Sequence, residues 1–314
     1  MLHQASGRWK LGLLLALVTA GCWATLPVVL KMSLVVLDPI TLTWFRFVFA
    51  AVFMAVWLGA RNQLAPYRSL QGRHWRWLLL ATVLLVGNYV GYLLGVQYTS
   101  PGNAQLLIQL APLLMALGGI FIFKERFVLG QWLGLAVIVL GLGLFFRDQL
   151  QGAVTGGSSY LLGSGFVGMA AVSWAAYALI QKQLLMKLDS SHILAVIYVF
   201  SALLLWPFAH PSALLELDAL HWALVLFCCA NTLVAYGAFA EALAHWQASR
   251  VSAILATTPL LCLLAVAAVH AVWPRAIAPE HVTALGIFGA VLVMAGSTVS
   301  SLSGQNSKDE AKEA

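Results

Sequence analysis

The chain has 314 residues, of which 61% are hydrophobic and only 9% are charged. Soluble domains carry about 25% charged residues, and a mean hydropathy of +0.89 is too apolar for a chain that folds in water. The composition therefore excludes an ordinary soluble protein and indicates an integral membrane protein. Because one membrane-spanning helix needs about 20 residues, ten such helices would leave no room for a separate catalytic domain.

Ten apolar segments follow one another along the chain, separated by charge, proline, glycine or short polar clusters. The predicted spans are residues 10–31, 39–59, 75–97, 101–123, 128–146, 160–183, 192–209, 220–246, 249–273 and 282–302. The connections 60–74 and 147–159 are too short to fold alone, and the polar tail 303–314 is predicted to be disordered and cytoplasmic. All four cysteines lie within apolar runs and are interpreted as packing residues, so we expect no metal and no other cofactor.

The distribution of lysine and arginine predicts the orientation, because cytoplasmic loops retain positive charge. With the N-terminus inside, thirteen of these residues lie on the inner side, and Lys31, Arg147 and Arg275 lie outside. Both termini are therefore predicted to be cytoplasmic, and the 147–159 loop is predicted to be outside. The net charge of +6 then arises from loops that flank the membrane, so we expect no nucleic-acid partner.

The two halves of the chain resemble each other, because landmark residues recur at similar spacings. Trp23 and Lys31 recur 151 positions later as Trp174 and Lys182, Tyr89 and Pro112 recur at 147 as Tyr236 and Pro259, and Glu125, Gly134 and Gly141 recur at 155 as Glu280, Gly289 and Gly296. Each half contains five spans, and because five is odd the second half enters the membrane from the opposite face. The predicted fold is all-α, with ten transmembrane helices in two inverted five-helix repeats, as in many carriers.

The run YTSPGNAQLLIQLAPLLMALGGIFIFKERFVLGQWLGLAVIVLG, which begins at Tyr98, resembles the fourth and fifth helices of an EamA module of the drug/metabolite transporter superfamily. The run TLTWFRFVFAA around Arg46 is similar to the family's second helix. A weaker second copy extends from Gly165 to Gly296. The resemblance implies two modules, at 10–146 and 160–302, that form a ten-helix carrier of small metabolites, often an exporter of amino acids or related compounds.

Two departures distinguish the second copy from the first. It has 21 positions from Pro259 to Glu280, whereas the first has 13 from Pro112 to Glu125, so its last hairpin carries an insertion. It also has Ile197 at the position that Arg46 occupies in the first copy.

Arg46 lies eight positions into the second span, about 12 Å along a helix. A charge at this depth is costly unless it is paired or faces water. One interpretation is a clamp for a substrate carboxylate. The alternative is a structural arginine that binds neighbouring helix carbonyls or reaches the outer interface.

Glu241 is the only carboxylate within a predicted span, and helical spacing places it beside His245. A buried carboxylate of this kind could carry a coupling proton, which makes these two residues the proton-coupling candidates. The alternative is an interfacial ion pair near the cytoplasmic end of the eighth span.

Polar and aromatic residues recur at helical spacing in several spans and are predicted to line a substrate cavity. With Arg46, the candidates are Trp23, Thr25, Asn88, Tyr92, Asn103, Gln105, Gln109, Trp174, Tyr177, Gln181, Asn231, Tyr236, Ser252 and Thr258. An unsatisfied amide is expensive in lipid, so such residues face a cavity or another helix. The alternative for each residue taken singly is a helix–helix hydrogen bond.

Pro112 and Pro259 are predicted to bend the fourth and ninth spans at equivalent positions, because proline frees the carbonyl four residues earlier. Bends at symmetric positions would suit gating of the cavity. A static kink is the alternative.

The residues and the resemblance together predict a secondary transporter of the inner membrane, which exports a small metabolite by alternating access. Protons are a candidate coupling ion, and the sequence does not specify the oligomeric state. The chain contains no HExxH motif, P-loop or nucleotide-binding glycine pattern, so an enzyme is not expected. A membrane enzyme and a non-transporting scaffold are the two rival functions.

Overall fold

The computed structural model describes residues 8–61, 67, 70–123, 127–156, 158–185, 187–246, 251, 254–280 and 282–313. All regular secondary structure of these residues is helical. The helices are α1 (Trp9–Ser33), α2 (Pro39–Ala60), α3 (Gly72–Tyr98), α4 (Pro101–Leu107), α5 (Leu110–Phe123), α6 (Leu129–Gly156), α7 (Ser158–Leu184), α8 (Ser190–Leu205), α9 (Ala219–His245), α10 (Thr258–Val272) and α11 (Ala284–Glu313). Two short 3-10 helices, Trp206–Phe208 and Pro211–Glu216, connect α8 to α9.

Six helical stretches within the described residues are long and apolar enough to cross a membrane. They are Trp9–Ser33, Pro39–Ala60, Gly72–Tyr98, Ser158–Gln181, Ser190–Phe208 and Ala219–Phe239. Shorter apolar helical stretches occupy Leu129–Phe145, Thr258–Val272 and Ala284–Ser300. The protein is therefore an all-α membrane protein throughout the part that the structure describes.

Short side chains with oxygen acceptors set the beginnings of several helices. Asp38 precedes Pro39 at the start of α2, and its Oδ1 accepts hydrogen bonds from the N–H groups of Ile40 and Thr41, both at 2.9 Å. Asp218 accepts one from His221 N at 2.8 Å at the start of α9. These bonds satisfy N–H groups that have no partner within the helix.

The fourth predicted span, residues 101–123, is two helices in the structure. Because α4 ends at Leu107 and α5 begins at Leu110, Pro112 lies in the first turn of α5 rather than within a continuous bent helix. Pro259 likewise lies in the first turn of α10. Proline is tolerated there because its missing N–H would have no acceptor within the helix. At both repeat-related prolines the structure therefore has an interrupted helix where the sequence predicted a bend.

One segment predicted as a connection and one predicted as a disordered tail are helical. The connection expected at 147–159 is taken up by α6, which continues to Gly156, and by α7, which begins at Ser158. The tail expected to be disordered at 303–314 is helical as far as Glu313. Neither segment contains proline, and a helix that already exists grows without a further nucleation cost.

The helices contact one another in a pattern that repeats when the two halves are exchanged. α1 packs against α9 as α7 packs against α3, and α1 packs against α10 as α7 packs against α4 and α5. α2 contacts α9 as α8 contacts α3. The contacts of α6 with α11 and of α2 with α8 each join two helices that are equivalent in the two halves, so exchanging the halves leaves these contacts unchanged. Helices α1, α2, α3, α7, α8 and α9 therefore surround one interior, to which both halves contribute.

Candidate functional site

Arg46 projects from α2 into this interior and is buried, with 2% of its surface exposed. Its Nε and Nη2 both donate to Thr232 Oγ1 on α9, at 3.3 and 3.0 Å. The guanidinium carbon lies 4.9 Å from the ring centroid of Tyr89 on α3, within the range of a cation–π contact. These contacts suit a structural arginine that joins the halves. Among the described residues, however, Nη1 has no acceptor and no carboxylate forms an ion pair with Arg46, which leaves N–H donors for a ligand.

Two tyrosines that the sequence repeat makes equivalent meet in the same interior. The side chains of Tyr89 and Tyr236 lie close enough to interact electrostatically. Tyr89 also packs on Phe47, with ring centroids 4.7 Å apart. Tyr236 packs edge-on against Trp23, with centroids 5.8 Å apart and planes at 70°. An aromatic wall contributed by both halves therefore lies beside the Arg46 guanidinium.

Tyr92 and Tyr236 lie within the same interior. Protein atoms surround both side chains, yet both residues keep an accessible fraction of their surface. The hydroxyl group of Tyr92 donates to Gln105 Oε1 on α4 at 2.8 Å. Tyr92 is also within electrostatic range of both Arg46 and Glu280, so it lies between the interior and the connection that precedes α11.

Asn88 and Asn231 hold helices of opposite halves together. Asn88 Nδ2 donates to Ala170 O on α7 at 2.9 Å, and Asn231 Nδ2 donates to Cys22 O on α1 at 2.8 Å. Both are hydrogen bonds between helices, which was the alternative to lining a substrate cavity. The Oδ1 atoms of Asn231 and Asn103 are nevertheless buried without a hydrogen-bond partner among the described residues, so each retains an acceptor.

The remaining candidates fall into groups by their accessibility. Those with partly accessible side chains are Trp23, Thr25, Tyr92, Gln109, Trp174, Gln181 and Tyr236, whereas Arg46, Asn88, Asn103, Gln105, Tyr177, Asn231 and Thr258 are buried. Thr25 bonds Gly21 O within its own helix at 2.7 Å. Ser252 and the side chain of Pro112 lie outside the described residues.

Glu241 does not face the interior. Its carboxylate lies 3.5 Å from His245 Nε2, so the two residues meet as helical spacing predicts, but the side chain is 66% exposed. This exposed position suits the alternative interpretation, in which Glu241 and His245 form an ion pair at the membrane interface. A role of Glu241 in proton coupling stays a prediction.

Sequence reasoning missed two groups of residues that the structure places at important contacts. Thr232 is the acceptor for Arg46, and nothing distinguishes it from other threonines of an apolar helix. Lys31 and Glu280 both contact the corner between α3 and α4. Glu280 precedes α11, which begins at Ala284, and its Oε1 accepts a hydrogen bond from Gly102 N on α4 at 2.6 Å.

Metal ligation has no support in the part of the chain that the structure describes. No group of three or more His, Cys, Asp or Glu side chains there is arranged to hold a metal ion. The cysteines at 22, 228, 229 and 262 are free thiols.

The comparisons with known proteins agree on one family. The model of the EamA-like transporter family matches residues 10–147 and 161–302. The chain is 38% identical over 295 residues to an uncharacterized inner membrane transporter of Escherichia coli (strain K12), YhbE, with 93% of this chain and 91% of that protein covered. It is 34% identical over 293 residues to an uncharacterized transporter of Haemophilus influenzae, with 93% and 95% covered.

More distant matches extend the comparison. A protein of Salmonella typhimurium named "Probable amino-acid metabolite efflux pump" is 26% identical over 301 residues, with 90% of this chain and 92% of that protein covered. One crystal structure, 16% identical, superposes with a TM-score of 0.62 over 94% of this chain and 98% of its own, which shows a shared fold. Family, relatives and apolar helices together place the protein in the inner membrane as a multi-pass protein. The chain belongs to the EamA-like transporter family.

Proposed function

We propose that the protein is a secondary transporter that exports a small carboxylate-bearing metabolite, such as an amino acid or a related amphipathic compound, by alternating access. The observation that carries this proposal is the buried Arg46, whose guanidinium lies over the ring of Tyr89 beside Tyr236. That cluster lies where the two halves of the chain meet. It presents a cation and aromatic surface to the same interior.

The proposal includes ten spans in two inverted modules, at 10–146 and 160–302, with both termini in the cytoplasm. The exchange of equivalent helix contacts between the halves supports it, because two copies related by a two-fold axis in the membrane plane produce such a pattern. In this arrangement α4 with α5 forms the fourth span, and the helical residues before α10 together with α10 form the ninth. Carriers commonly interrupt such helices beside their binding sites.

The chemistry of the interior supports a carboxylate-bearing substrate. The free N–H groups of Arg46 suit a carboxylate, because guanidinium and carboxylate can form two parallel hydrogen bonds. The unpartnered Oδ1 atoms of Asn103 and Asn231 are acceptors for an ammonium or amide group. The rings of Trp23 and Tyr236 supply apolar surface. The name of the Salmonella relative supports export and amino-acid-like cargo.

The rival functions make different demands on this interior. A membrane enzyme needs a nucleophile together with an acid–base partner within reach of bound substrate, and the described groups near Arg46 are hydroxyls, amides and the buried thiols of Cys228 and Cys229. A scaffold gains nothing from burying acceptors without partners, because each costs free energy.

Transport by the purified protein tests the proposal. Liposomes containing the protein are loaded with a panel of amino acids and related metabolites, and release is measured with and without a pH gradient. We expect release of at least one carboxylate-bearing compound above that from protein-free liposomes. Absence of transport across the whole panel, or chemical conversion of a compound without its movement, would contradict the proposal.

A further inference from the structure

Residues 273–283 connect α10 to α11, and we call this segment the strap. It corresponds to the insertion in the second copy, where 21 positions separate Pro259 from Glu280. Ile277 of the strap is 5% exposed and packs with Ala24, Val28 and Cys262. The carbonyl oxygen of Ile277 lies 2.9 Å from His270 Nδ1 on α10. The strap is therefore folded back over the ends of α1 and α10.

Glu280 attaches the strap to the first half of the chain. Its Oε1 accepts a hydrogen bond from Gly102 N at 2.6 Å, and its carboxylate lies near the side chain of Ser100. Ser100 Oγ in turn accepts from Asn103 N at 3.2 Å. A single carboxyl group thus connects the strap to the start of α4, 178 positions away.

Lys31 fixes the other side of the same corner. Its Nζ donates to three carbonyl oxygens at the end of α3, those of Val96, Gln97 and Thr99, at 2.7, 2.7 and 2.8 Å. All three ammonium hydrogens therefore have acceptors. Lys31 attracts the Glu280 carboxylate electrostatically, but no ion pair shorter than 4 Å joins these two described residues.

The environment of Glu280 is mostly apolar and neutral. The titratable and charged groups that face it are Lys31 from α1, Tyr92 from α3 and Cys262 from α10, while His281 lies outside the described residues. Only Lys31 among these carries a charge at neutral pH. A carboxylate enclosed in this way is therefore compensated by one distant cation, the hydrogen bond from Gly102 and the nearby hydroxyl group of Ser100.

We propose that Glu280 is a proton-binding group that controls the strap: the protonated carboxyl lies in its present place on the α3–α4 corner, and loss of the proton releases the strap. The neutral carboxyl keeps the Gly102 bond through one oxygen and donates from the other to Ser100. The ionised carboxyl gains more from water than from this corner. Its release withdraws Ile277 from Cys262 and opens a route towards Tyr92.

The direction of the pH dependence follows from proton linkage. Burial raises the pKa of the Glu280 carboxyl above its usual value, against the opposing effects of Gly102 N–H, the Ser100 hydroxyl group and Lys31. The closed strap consequently binds the proton more tightly than an open strap with a hydrated carboxyl. Closure is favoured at low pH, and opening is favoured as the pH rises through the pKa of the closed form.

The role of the strap in transport rests on the proposed function. The positive-inside count predicts that Lys31 and the strap lie on the outer side. An exporter with an ionised Glu280 stays open to the outside, where it releases substrate, and a proton from the outer side then closes the strap. A lower pH on the outer side would thereby speed the return of the emptied carrier to its closed form.

Labelling of Cys262 tests the strap without any substrate. Cys262 is fully buried beside Ile277, and the other three cysteines are replaced by alanine so that it is the sole thiol. The rate of reaction with N-ethylmaleimide is measured by mass spectrometry in lipid nanodiscs over a pH series that starts near the ordinary pKa of a glutamate, about 4.3, and rises to about pH 8.5. Each rate is divided by that of a Glu280→Gln variant at the same pH, which corrects for the general rise of thiol reactivity with pH; the charge of Glu280 itself disfavours the Cys262 thiolate and so acts against the expected increase.

We expect this ratio to rise with pH, by up to about tenfold per unit, the limit for one titrating proton. Glu280→Gln resembles the protonated carboxyl and labels slowly throughout. Glu216→Gln removes an exposed carboxylate from the 3-10 helix before α9 and labels like the parent. Gly102→Ala labels rapidly at every pH, because a methyl group there would displace the Glu280 carboxylate and Leu263.

A ratio that stays constant with pH would overturn the proposal and leave Glu280 as a structural cap of α4. The same conclusion would follow if Glu216→Gln slowed the labelling of Cys262 as much as Glu280→Gln does. Because no step uses a substrate, a negative result here leaves the transport proposal standing. A failure of the liposome panel likewise leaves this result valid.

Discussion

Arg46 and Thr232 are joined by two hydrogen bonds that share one acceptor, Thr232 Oγ1, at 3.3 and 3.0 Å. The two residues are 186 positions apart and belong to opposite halves of the chain. Thr232 Oγ1 also donates to Cys228 O at 2.9 Å within α9. The hydroxyl group is thereby oriented with its lone pairs towards the guanidinium, and Arg46 is held at a defined position in the interior.

Arg46→Lys is expected to weaken substrate binding about tenfold, because lysine keeps the charge but loses the planar fork that binds a carboxylate. The folded yield is expected to stay near normal, since an ammonium can still reach Thr232 Oγ1 and the ring of Tyr89. Binding of the compound identified in liposomes and the melting temperature of the purified protein measure the two effects separately.

Thr232→Val is the matched control for Arg46→Lys. Valine keeps the shape of the threonine side chain and leaves the charge of Arg46 unchanged, but it removes the hydroxyl group that accepts from the guanidinium. Loss of a hydrogen bond to a charged group costs about 1.5–3 kcal/mol. We therefore expect a lower melting temperature with little change in affinity. If Arg46→Lys behaves in the same way as Thr232→Val, Arg46 is structural and does not bind substrate.

The close crossing of α6 and α11 provides a prediction about stability. A methyl group built on Gly141 would lie 2.6 Å from Gly289 O, and one built on Gly296 would lie 2.6 Å from Gly134 O. These atoms belong to backbones, which cannot rotate away as a side chain can. Gly141→Ala must therefore separate the two helices, at a cost of about 1–3 kcal/mol or more, and we expect a clearly lower melting temperature in detergent.

Gly143→Ala is the control for this prediction, since a methyl group there has nothing within 4 Å. In the same helix it should leave the melting temperature unchanged or raise it slightly, because alanine favours a helix over glycine. Equal destabilisation by both variants would show that loss of glycine in α6, rather than the crossing, is responsible.

Sequence reasoning located helix boundaries best where a local signal exists. α2 and α9 begin at Pro39 and Ala219, within one residue of the predicted starts, because Asp38 and Asp218 are cap residues. The break between α4 and α5 was not predicted, since an apolar run with one proline fits both a bent helix and a new helix. Packing of α4 against α1, α7 and α10 decides between them, and a single sequence does not contain that information.

The same division applies to the candidate site. Arg46 and Tyr236 stand out because a charge or a repeated aromatic residue in an apolar run is unusual. Thr232 and Glu280 do not stand out, since their importance lies in partners 186 and 178 positions away. The sequence shows that an insertion precedes Glu280. The composition of the insertion does not indicate that it contacts the α3–α4 corner.

The predicted orientation can be tested at the connection between α6 and α7. The positive-inside count places residues 147–159 outside and both termini in the cytoplasm. A single cysteine introduced at Ser158, in a variant without native cysteines, should react with a membrane-impermeant maleimide in intact cells. A cysteine at Gly72, at the start of α3, is the control and should react only after the cells are lysed. The reverse pattern would overturn the assignment.

Glu241→Gln tests which carboxylate couples transport to protons. Because the Glu241 side chain is 66% exposed and paired with His245 at 3.5 Å, we expect the variant to retain the dependence of transport on a pH gradient. Its stability should change little, since exposed pairs contribute about 0.2–1 kcal/mol. Glu280→Gln, measured in the same liposomes, should lose the pH-gradient dependence and release substrate slowly at every pH, because a permanently neutral side chain resembles the protonated carboxyl and keeps the strap closed. If Glu241→Gln abolishes the dependence and Glu280→Gln preserves it, then Glu241 with His245 is the coupling pair, and the strap does not respond to the driving proton.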